Sequence, residues 1–387
     1  MEIEEEVSAS ESEDESMSSD QEISEDGAEN KIAVKKEVYM PGTSLDADEK
    51  LVCDQSVYVM LHHASTGSPC LSFDIIKDDW GDNRSTFPMS AYAVAGTESP
   101  RAHTNSVVVM KMSNIHKTQK IEREDDDDEE SSDEEDEEKK PKLDCALIKH
   151  QGCVNRVRAS HVNQAVLCAT WSEIGHVNIW DIGPQLRAVQ NSFTLESYCS
   201  KTNAETDASR KPIFTFTGHL SEGYGMDWCP THPGVLATGD CRSAIHLWQP
   251  DEGASSWKVD QRPLSGHTGS VEDLQWSPNE RHSGQPVATF KHHIAPVTTV
   301  EWHPTDSTVF ASGGEDDQIA LWDISLERDK DAETEERETE LKNLPPQLLF
   351  IHQGQKEVKE LHWHPQIPGV IISTAANGFN IFKTISV

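Results

Sequence analysis

The sequence predicts an all-β protein, a propeller of four-stranded blades, and three observations carry that reading. A His is followed nine residues later by Trp, and two further on by Pro, at His219/Trp228/Pro230, His267/Trp276/Pro278 and His293/Trp302/Pro304. A second Trp falls 30, 29 and 29 residues past His150, His219 and His293, at Trp180, Trp248 and Trp322. Between these marks apolar and polar residues alternate with the period of two that half-buried strands require. Repeats of about 40–45 residues with Gly-His and Trp-Asp signatures are propeller blades, each burying its faces only against its neighbours.

Residues 1–45 are expected to form a disordered acidic tail. The first thirty hold thirteen Asp/Glu and no Lys/Arg, with too little apolar surface to offset the entropy of ordering. Segment 46–68 is expected to be an N-terminal helix packed on the propeller. Leu51, Val52, Tyr58, Val59, Met60 and Leu61 cluster among polar positions, acids stand in the first turn and His62/His63 in the last, before the breaker string Ser65–Pro69. The propeller then spans 69–387. Leu71–Ile76, Met89–Ala95 and Ser106–Met112 read as its first strands, and acidic insertions interrupt it at about 117–142 and 327–344.

The model repeat is His293–Ile324, in which Val297, Val300 and Trp302 alternate on one strand, Val309–Ser312 forms the next, and Ile319–Asp323 the third. His293, Ser312, Asp316 and Trp322, with His219 and Trp248 two repeats earlier, sit where a hydrogen-bonded chain within a blade would need them. The same residue types spell a catalytic triad, but their recurrence with the repeat makes them framework. The His positions 150, 219, 267, 293 and 352 are separated by 69, 48, 26 and 59 residues. Twenty-six residues cannot hold four strands and their turns, so about one and a half repeats are missing near Glu280–Ser283. The surviving blades must close as about six, one of them short, or leave an open gap.

Composition narrows function. Net charge is −35, and the segments 1–30, 122–138 and 327–340 together carry −31 of it, leaving a nearly neutral body. Such a field repels phosphate, so direct nucleic-acid binding is not expected. No apolar run approaches the ~20 residues of a membrane span. The eight Cys lack a C-x-x-C pair, and no phosphate-cradling Gly loop, metal-ligand spacing or nucleophile motif is present. The expectation is a non-enzymatic protein without cofactor, metal or catalytic residues, monomeric when free.

Tyr58–Met60 through Pro69–Asp74, Ser270–Glu280 and Pro286–Ser307 resemble the glutamate-rich WD-repeat family of ribosome-assembly chaperones. That family is related to the histone-binding, retinoblastoma-binding and chromatin-assembly WD-repeat proteins. The resemblance covers roughly 39–387. It implies a seven-bladed propeller, nuclear and nucleolar location, and escort of a basic large-subunit ribosomal protein within pre-ribosomal particles, with core histones as further clients. In the histone-binding branch an N-terminal helix and a double-proline loop form a groove for a histone helix. Here the matching positions are Leu51–His63 for the helix and Pro345–Ile351 for the loop, so Tyr58, Met60 and Leu61 with Phe350 and Ile351 would line the groove. Glu335, Glu336, Glu338 and Glu340 would form its acidic lip. Leu348–Ile351 reads equally as an ordinary outer strand. A histone-centred chromatin role is the alternative function. A ubiquitin-ligase receptor role fits less well, because neither Trp180-Asp181 nor Trp322-Asp323 is followed two residues on by Arg. Ser18, Ser19, Ser131 and Ser132 precede acids as acid-directed kinases prefer, and Lys139, Lys140 and Lys142 form a basic cluster readable as an import signal or as charge balance.

Overall fold

A computed structural model describes residue 39 and residues 51–118, 140–201, 210–264, 267–274, 276, 290–326 and 344–387. The tail serines Ser18 and Ser19, the insertion serines Ser131 and Ser132, Lys139, and the acids Glu335, Glu336, Glu338 and Glu340 lie outside the described residues.

Cys53–Val387 forms one compact unit. Its first strand, β1 (Tyr58–Ala64), joins the last sheet in space, while the rest follow in sequence order. Blade 1 contains β2 (Cys70–Ile76), β3 (Met89–Thr97), β4 (Ser106–Ile115) and β5 (Lys142–Lys149). Blade 2 contains β6 (Val154–Val162), β7 (Ala165–Ser172), β8 (Val177–Asp181) and β9 (Phe214–Phe216). Blade 3 contains β10 (Gly223–Trp228), β11 (Leu236–Asp240), β12 (Ile245–Pro250) and β13 (Trp257–Val259). Blade 4 contains β14 (Val297–Trp302), β15 (Val309–Gly314), β16 (Gln318–Asp323) and β17 (Leu348–Gln353). Blade 5 runs β18 (Glu360–Trp363), β19 (Val370–Ala375), β20 (Gly378–Thr384), and β1 completes it at the outer edge. All ladders among the described residues are antiparallel, and the first strand of each of blades 1–5 in this order (β2, β6, β10, β14, β18) is innermost.

The expected helix over 46–68 does not form in its described part. Asp54 caps a single 3-10 turn, Gln55–Val57, through Ser56 N, and the chain then enters β1. Leu61 pairs with Phe382 and His62 with Ile381. The physical reason is an ambiguous pattern overridden by a tertiary partner. Tyr58, Met60 and Leu61 satisfy a helical face over so short a window, but β20 offers an unpaired ladder, and the aromatic and β-branched residues at 57–59 suit a pleated surface. Pairing the chain's first strand with its last closes blade 5 and ties the two ends of the unit together.

Side chains of neighbouring blades interdigitate in four continuous cores. Blades 5 and 1 share Met60, Phe73, Met110, Ile372 and Phe379; blades 1 and 2 share Val94, Val109, Val157 and Trp180. Blades 2 and 3 share Trp171, Ile179, Met226 and Trp248, and blades 4 and 5 share Leu321, Leu361, Trp363 and Phe382. The fifth cluster, Phe310, Ala320 and Trp322 with Phe290, Ile324 and Leu348 against it, contains residues of blade 4 and its flanks only. Among the described residues the ring is therefore incomplete between blades 3 and 4, where the His spacing of 26 residues predicts the loss. What is described of the short repeat lies on blade 3: Val271 N bonds Asp240 O, and the Trp276 backbone N–H and indole N–H bond the carboxylate and carbonyl of Asp227.

Two helices, α1 (Gly183–Ala188) and α2 (Ser192–Ser200), interrupt blade 2 between β8 and β9. Their signals were in the sequence: Pro184 at the start of α1 and Asn191, whose side chain accepts from Thr194 N at the start of α2. They cover blade 1's outer strand through Leu186, Leu195 and Tyr198.

Candidate protein-binding site

The His, hydroxyl and Trp residues that recur with the repeat meet in one hydrogen-bonded chain within each of blades 2, 3 and 4. His293 Nε2 is 2.8 Å from Ser312 Oγ, which accepts from the Trp322 indole at 2.9 Å, while His293 Nδ1 meets Asp316 at 3.0 Å. Blade 3 repeats the chain with Thr: His219 Nε2 to Thr238 Oγ1 at 2.9 Å, Trp248 Nε1 to the same oxygen at 2.9 Å, and His219 Nδ1 to Asp240 at 2.9 Å. In blade 2, His150, Thr170 and Trp180 form the same bridge, with Gly152 O in the place of the Asp. The directions are set by the donors. The indole N–H can only donate, so the hydroxyl gives its own hydrogen to the His Nε2, and the ring carries its proton on Nδ1 toward the carboxylate. Burial keeps His219 neutral, with a pKa pulled down to about 4. A buried hydroxyl locked between an indole and a neutral imidazole has no freedom to act as a nucleophile. Thr238→Ala leaves both partners unsatisfied and should cost roughly 1–3 kcal/mol, read as a lower urea midpoint with unchanged slope.

A second polar cluster occupies the ring's centre. Glu360 of β18 is nearly fully buried and accepts from Arg156 at 2.7 Å, Arg158 at 2.9 Å, Ser72 Oγ at 2.8 Å and Phe73 N at 2.8 Å. His362 Nδ1 lies 3.1 Å from Glu301, and its Nε2 lies 3.1 Å from Phe73 O. Arg156 also donates to Tyr224 O. Inner strands of blades 1–5 thus converge on these residues. Burial would raise the Glu360 pKa, but Arg158 and Arg156 hold it well below the usual range. Burial alone would likewise lower His362, yet Glu301 and Glu360 raise it to about 10. The cluster is fully paired, which suits a clasp.

The residues expected to line a client groove divide. Tyr58, Met60 and Leu61 are core residues and do not line an open groove. Met60 lies in the core shared with blade 1, and Tyr58 and Leu61 in the core shared with blade 4. The correction follows from the strand: β1 lies between two sheet-to-sheet cores, and with the register shift between Tyr58 and Met60 its side chains enter both, where a helix would have shown one face outward. The structure does bring Tyr58 to the double-proline strand. Its ring meets Phe350 edge-on at 5.4 Å and its hydroxyl bonds His352 Nδ1 at 2.8 Å. Phe350 and Ile351 are half-buried on β17, the outer strand of blade 4. The ordinary-strand reading of Leu348–Ile351 therefore holds. His62 and His63 bond His116 O and Asn380 Oδ1. Of the basic cluster, Lys140 takes an Asn114 side-chain N–H on its carbonyl, and Lys142 opens β5, exposed and opposite Ser113. Sequence reasoning missed the central cluster. Its signal was charged residues at alternate inner-strand positions, Arg156/Arg158 and Glu360/His362.

Comparison with known proteins bears on the same segments. The family described as histone-binding protein RBBP4, which also takes in a component of the CAF1 complex, matches residues 48–116, and "WD domain, G-beta repeat" matches 284–323. Protein HEAT STRESS TOLERANT DWD 1 of Arabidopsis thaliana is 37% identical over 441 residues, with 92% of this chain and 92% of the relative covered. Ribosome assembly protein rrb1 of Schizosaccharomyces pombe is 35% identical, covering 92% of this chain and 86% of the relative. Glutamate-rich WD repeat-containing protein 1 of Dictyostelium discoideum is 36% identical, covering 90% and 85%. Because 92% of 387 residues is about 356, the 441-position span includes about 85 positions filled in the Arabidopsis protein and empty here. That shortfall is the size of about two blades. A propeller of four-stranded blades with the His–hydroxyl–Trp network, related over nine-tenths of its length to these proteins, belongs to the glutamate-rich, ribosome-assembly family of WD-repeat proteins.

Proposed function

We propose that this chain is a non-enzymatic chaperone and assembly scaffold for strongly basic clients, acting in ribosome biogenesis in the nucleus and nucleolus. The clients are a basic large-subunit ribosomal protein and core histones. The carrying observation is the placement of charge along the sequence: −31 of −35 lies in the segments 1–30, 122–138 and 327–340, and the remainder is nearly neutral. Charge concentrated in such segments steers and shields a Lys/Arg-rich client. Two of them, 122–138 and 327–340, join the outer strands of blades 1 and 4, between β4 and β5 and between β16 and β17. With Tyr58, Met60 and Leu61 in the core, the client contact left on blade 4 is Phe350 and Ile351 with Glu335, Glu336, Glu338 and Glu340 just upstream in sequence. The name of the yeast relative supports the ribosomal client, and the histone-binding match over 48–116 supports a histone role; a histone-centred chromatin function is the second reading.

Capture of a purified basic ribosomal protein and of a core histone by the full chain, at 50 and 300 mM salt, tests this. Both affinities should fall steeply with salt, because exposed charges are screened beyond about 8 Å at physiological ionic strength. Deleting 122–138 should weaken both clients, while Ile351→Glu should weaken the one that uses the β17 edge. Salt-independent capture would overturn the reading, and histone capture with no ribosomal-protein capture would favour the second.

A further inference from the structure

The seams between blades follow one rule of packing. Counting from the His, positions +4, +7 and +9 of each inner strand face the preceding blade. Val154 and Val157 fill the first two in blade 2, Met226 and Trp228 the last two in blade 3, and all are buried. Blade 5 keeps the same set two residues later, as Val358, Leu361 and Trp363. At four places in the ring the first position meets a matched surface on the preceding blade's second strand. Val154 sits over Gly96, Val271 over Gly239 and Val358 over Gly313, so close that a Cβ on each glycine would lie 2.2, 2.4 and 2.9 Å from the valine's atoms. At the seam of blades 2 and 3 the sizes are exchanged, Gly223 against Trp171. The Trp indole then donates to a main-chain carbonyl of the preceding inner strand: Trp228 to Arg158 at 3.0 Å, Trp276 to Asp227 at 3.0 Å and Trp363 to Glu301 at 3.2 Å.

Blade 4 carries the same set as Val297, Val300 and Trp302, but these are 49%, 57% and 54% exposed. Among the described residues, the ring contact of Trp302 is with its own sheet, on Phe310 at 5.3 Å. Ile294, three residues before β14, is also exposed. Large apolar side chains left exposed at positions that are buried in the other blades mark an interaction site.

We propose that this flank of blade 4 is a docking site for a β-blade supplied in trans by a partner protein. The partner's sheet would place a glycine of its second strand against Val297 and a free main-chain carbonyl of its inner strand against the Trp302 indole. Continuity argues for this occupant, since the flank is one more copy of an interface that the ring already builds repeatedly with one chemistry. Charge argues the same way. Glu315, on the turn after β15, is an exposed acid, so the incoming blade carries no acid opposite it. A second copy of this chain, at −35, would be repelled. The proposal is independent of the client reading above, which rests on the acidic segments.

The probe is a synthetic peptide of residues 219–264 of this chain, because blade 3 contains both Gly239 and the Asp227 carbonyl. A lone blade has no neighbour to bury its faces, so the peptide should gain β circular dichroism only when mixed with the chain. A peptide that gains it on the Val297→Asp chain as well would overturn the proposal. Added to the full chain, it should bind saturably, one to one, with hydrogen-exchange protection at 297–302 and loss of Trp302 oxidation in hydroxyl-radical footprinting. Trp302→Phe keeps the apolar area and removes the N–H, and should weaken binding roughly fivefold to tenfold, the worth of one net hydrogen bond. Val297→Asp in the chain, or Gly239→Val in the peptide, should abolish it. Both altered chain residues are exposed, so circular dichroism should not change. Absence of binding, unaltered affinity of the Gly239→Val peptide, or equal protection by polylysine would overturn the proposal. Protection that rises with protein concentration before any peptide is added would replace the partner's blade with a second copy.

Discussion

Glu360→Ala should lower stability by about 3–5 kcal/mol, the cost of stranding buried cations once their shared anion is removed. Arg156, Arg158 and His362 all converge on this carboxylate, and Ser72 Oγ and Phe73 N also lose their acceptor. Because the cluster joins inner strands of blades 1, 2 and 5 directly, and of blades 3 and 4 through Tyr224 and Glu301, the loss is expected across the whole ring. Glu360→Gln keeps an acceptor for Ser72 and Phe73 but removes the charge, and should fall between Ala and the parent. Urea midpoints of the three proteins check this. Equal midpoints would mean that the centre is not a clasp.

Acidification should destabilise the fold with a definite window. Burial lowers His219 to about 4 and His352 to about 3; burial, aided by Arg84, lowers His364 to about 3. In the unfolded chain each takes up a proton near 6.5. The sign follows: folded values lie below unfolded ones, so the unfolded state binds protons first. The stability is complete above about 6.5 and lost as pH falls toward 3–4. At pH 5 each group contributes a loss of about 2 kcal/mol, on the scale of 1.36 kcal/mol per unit, so the three together threaten most of a domain's stability. Asp227, raised to about 6 by burial, runs the other way, its contribution being present below its unfolded value and lost as pH rises through about 6, and it offsets part of this. His362 sets the alkaline side: its stabilisation is full below 6.5 and lost as pH rises through about 10. A melting temperature that stays flat from pH 7.5 to 5.0 would contradict the assignment.

The repeat pattern made the blades legible because a propeller blade writes its period twice, once in alternation and once in the His–Trp spacing. His293, Ser312, Asp316 and Trp322 could be placed from spacing alone, since each answers a hydrogen-bond demand of another. The short repeat was legible for the same reason. The first strand was not. Tyr58–Ala64 is seven residues whose partner is Gly378–Thr384, more than three hundred positions away, and local periodicity cannot report a ladder of that separation. The groove expected around Tyr58, Met60 and Leu61 failed with it, because a strand between two cores shows neither face. Arg156, Arg158 and Glu360 escaped notice because charge on an inner strand resembles a solvated face until the ring brings the strands together.

The exposed flank of blade 4 is tested most directly by hydroxyl-radical footprinting of the isolated monomer. Trp302 and Trp80, which is 53% exposed, should be oxidised rapidly, while Trp228, Trp248, Trp322 and Trp363 remain protected. If Trp302 is as protected in a monodisperse monomer as Trp228 and Trp363, the ring is closed and the open seam does not exist.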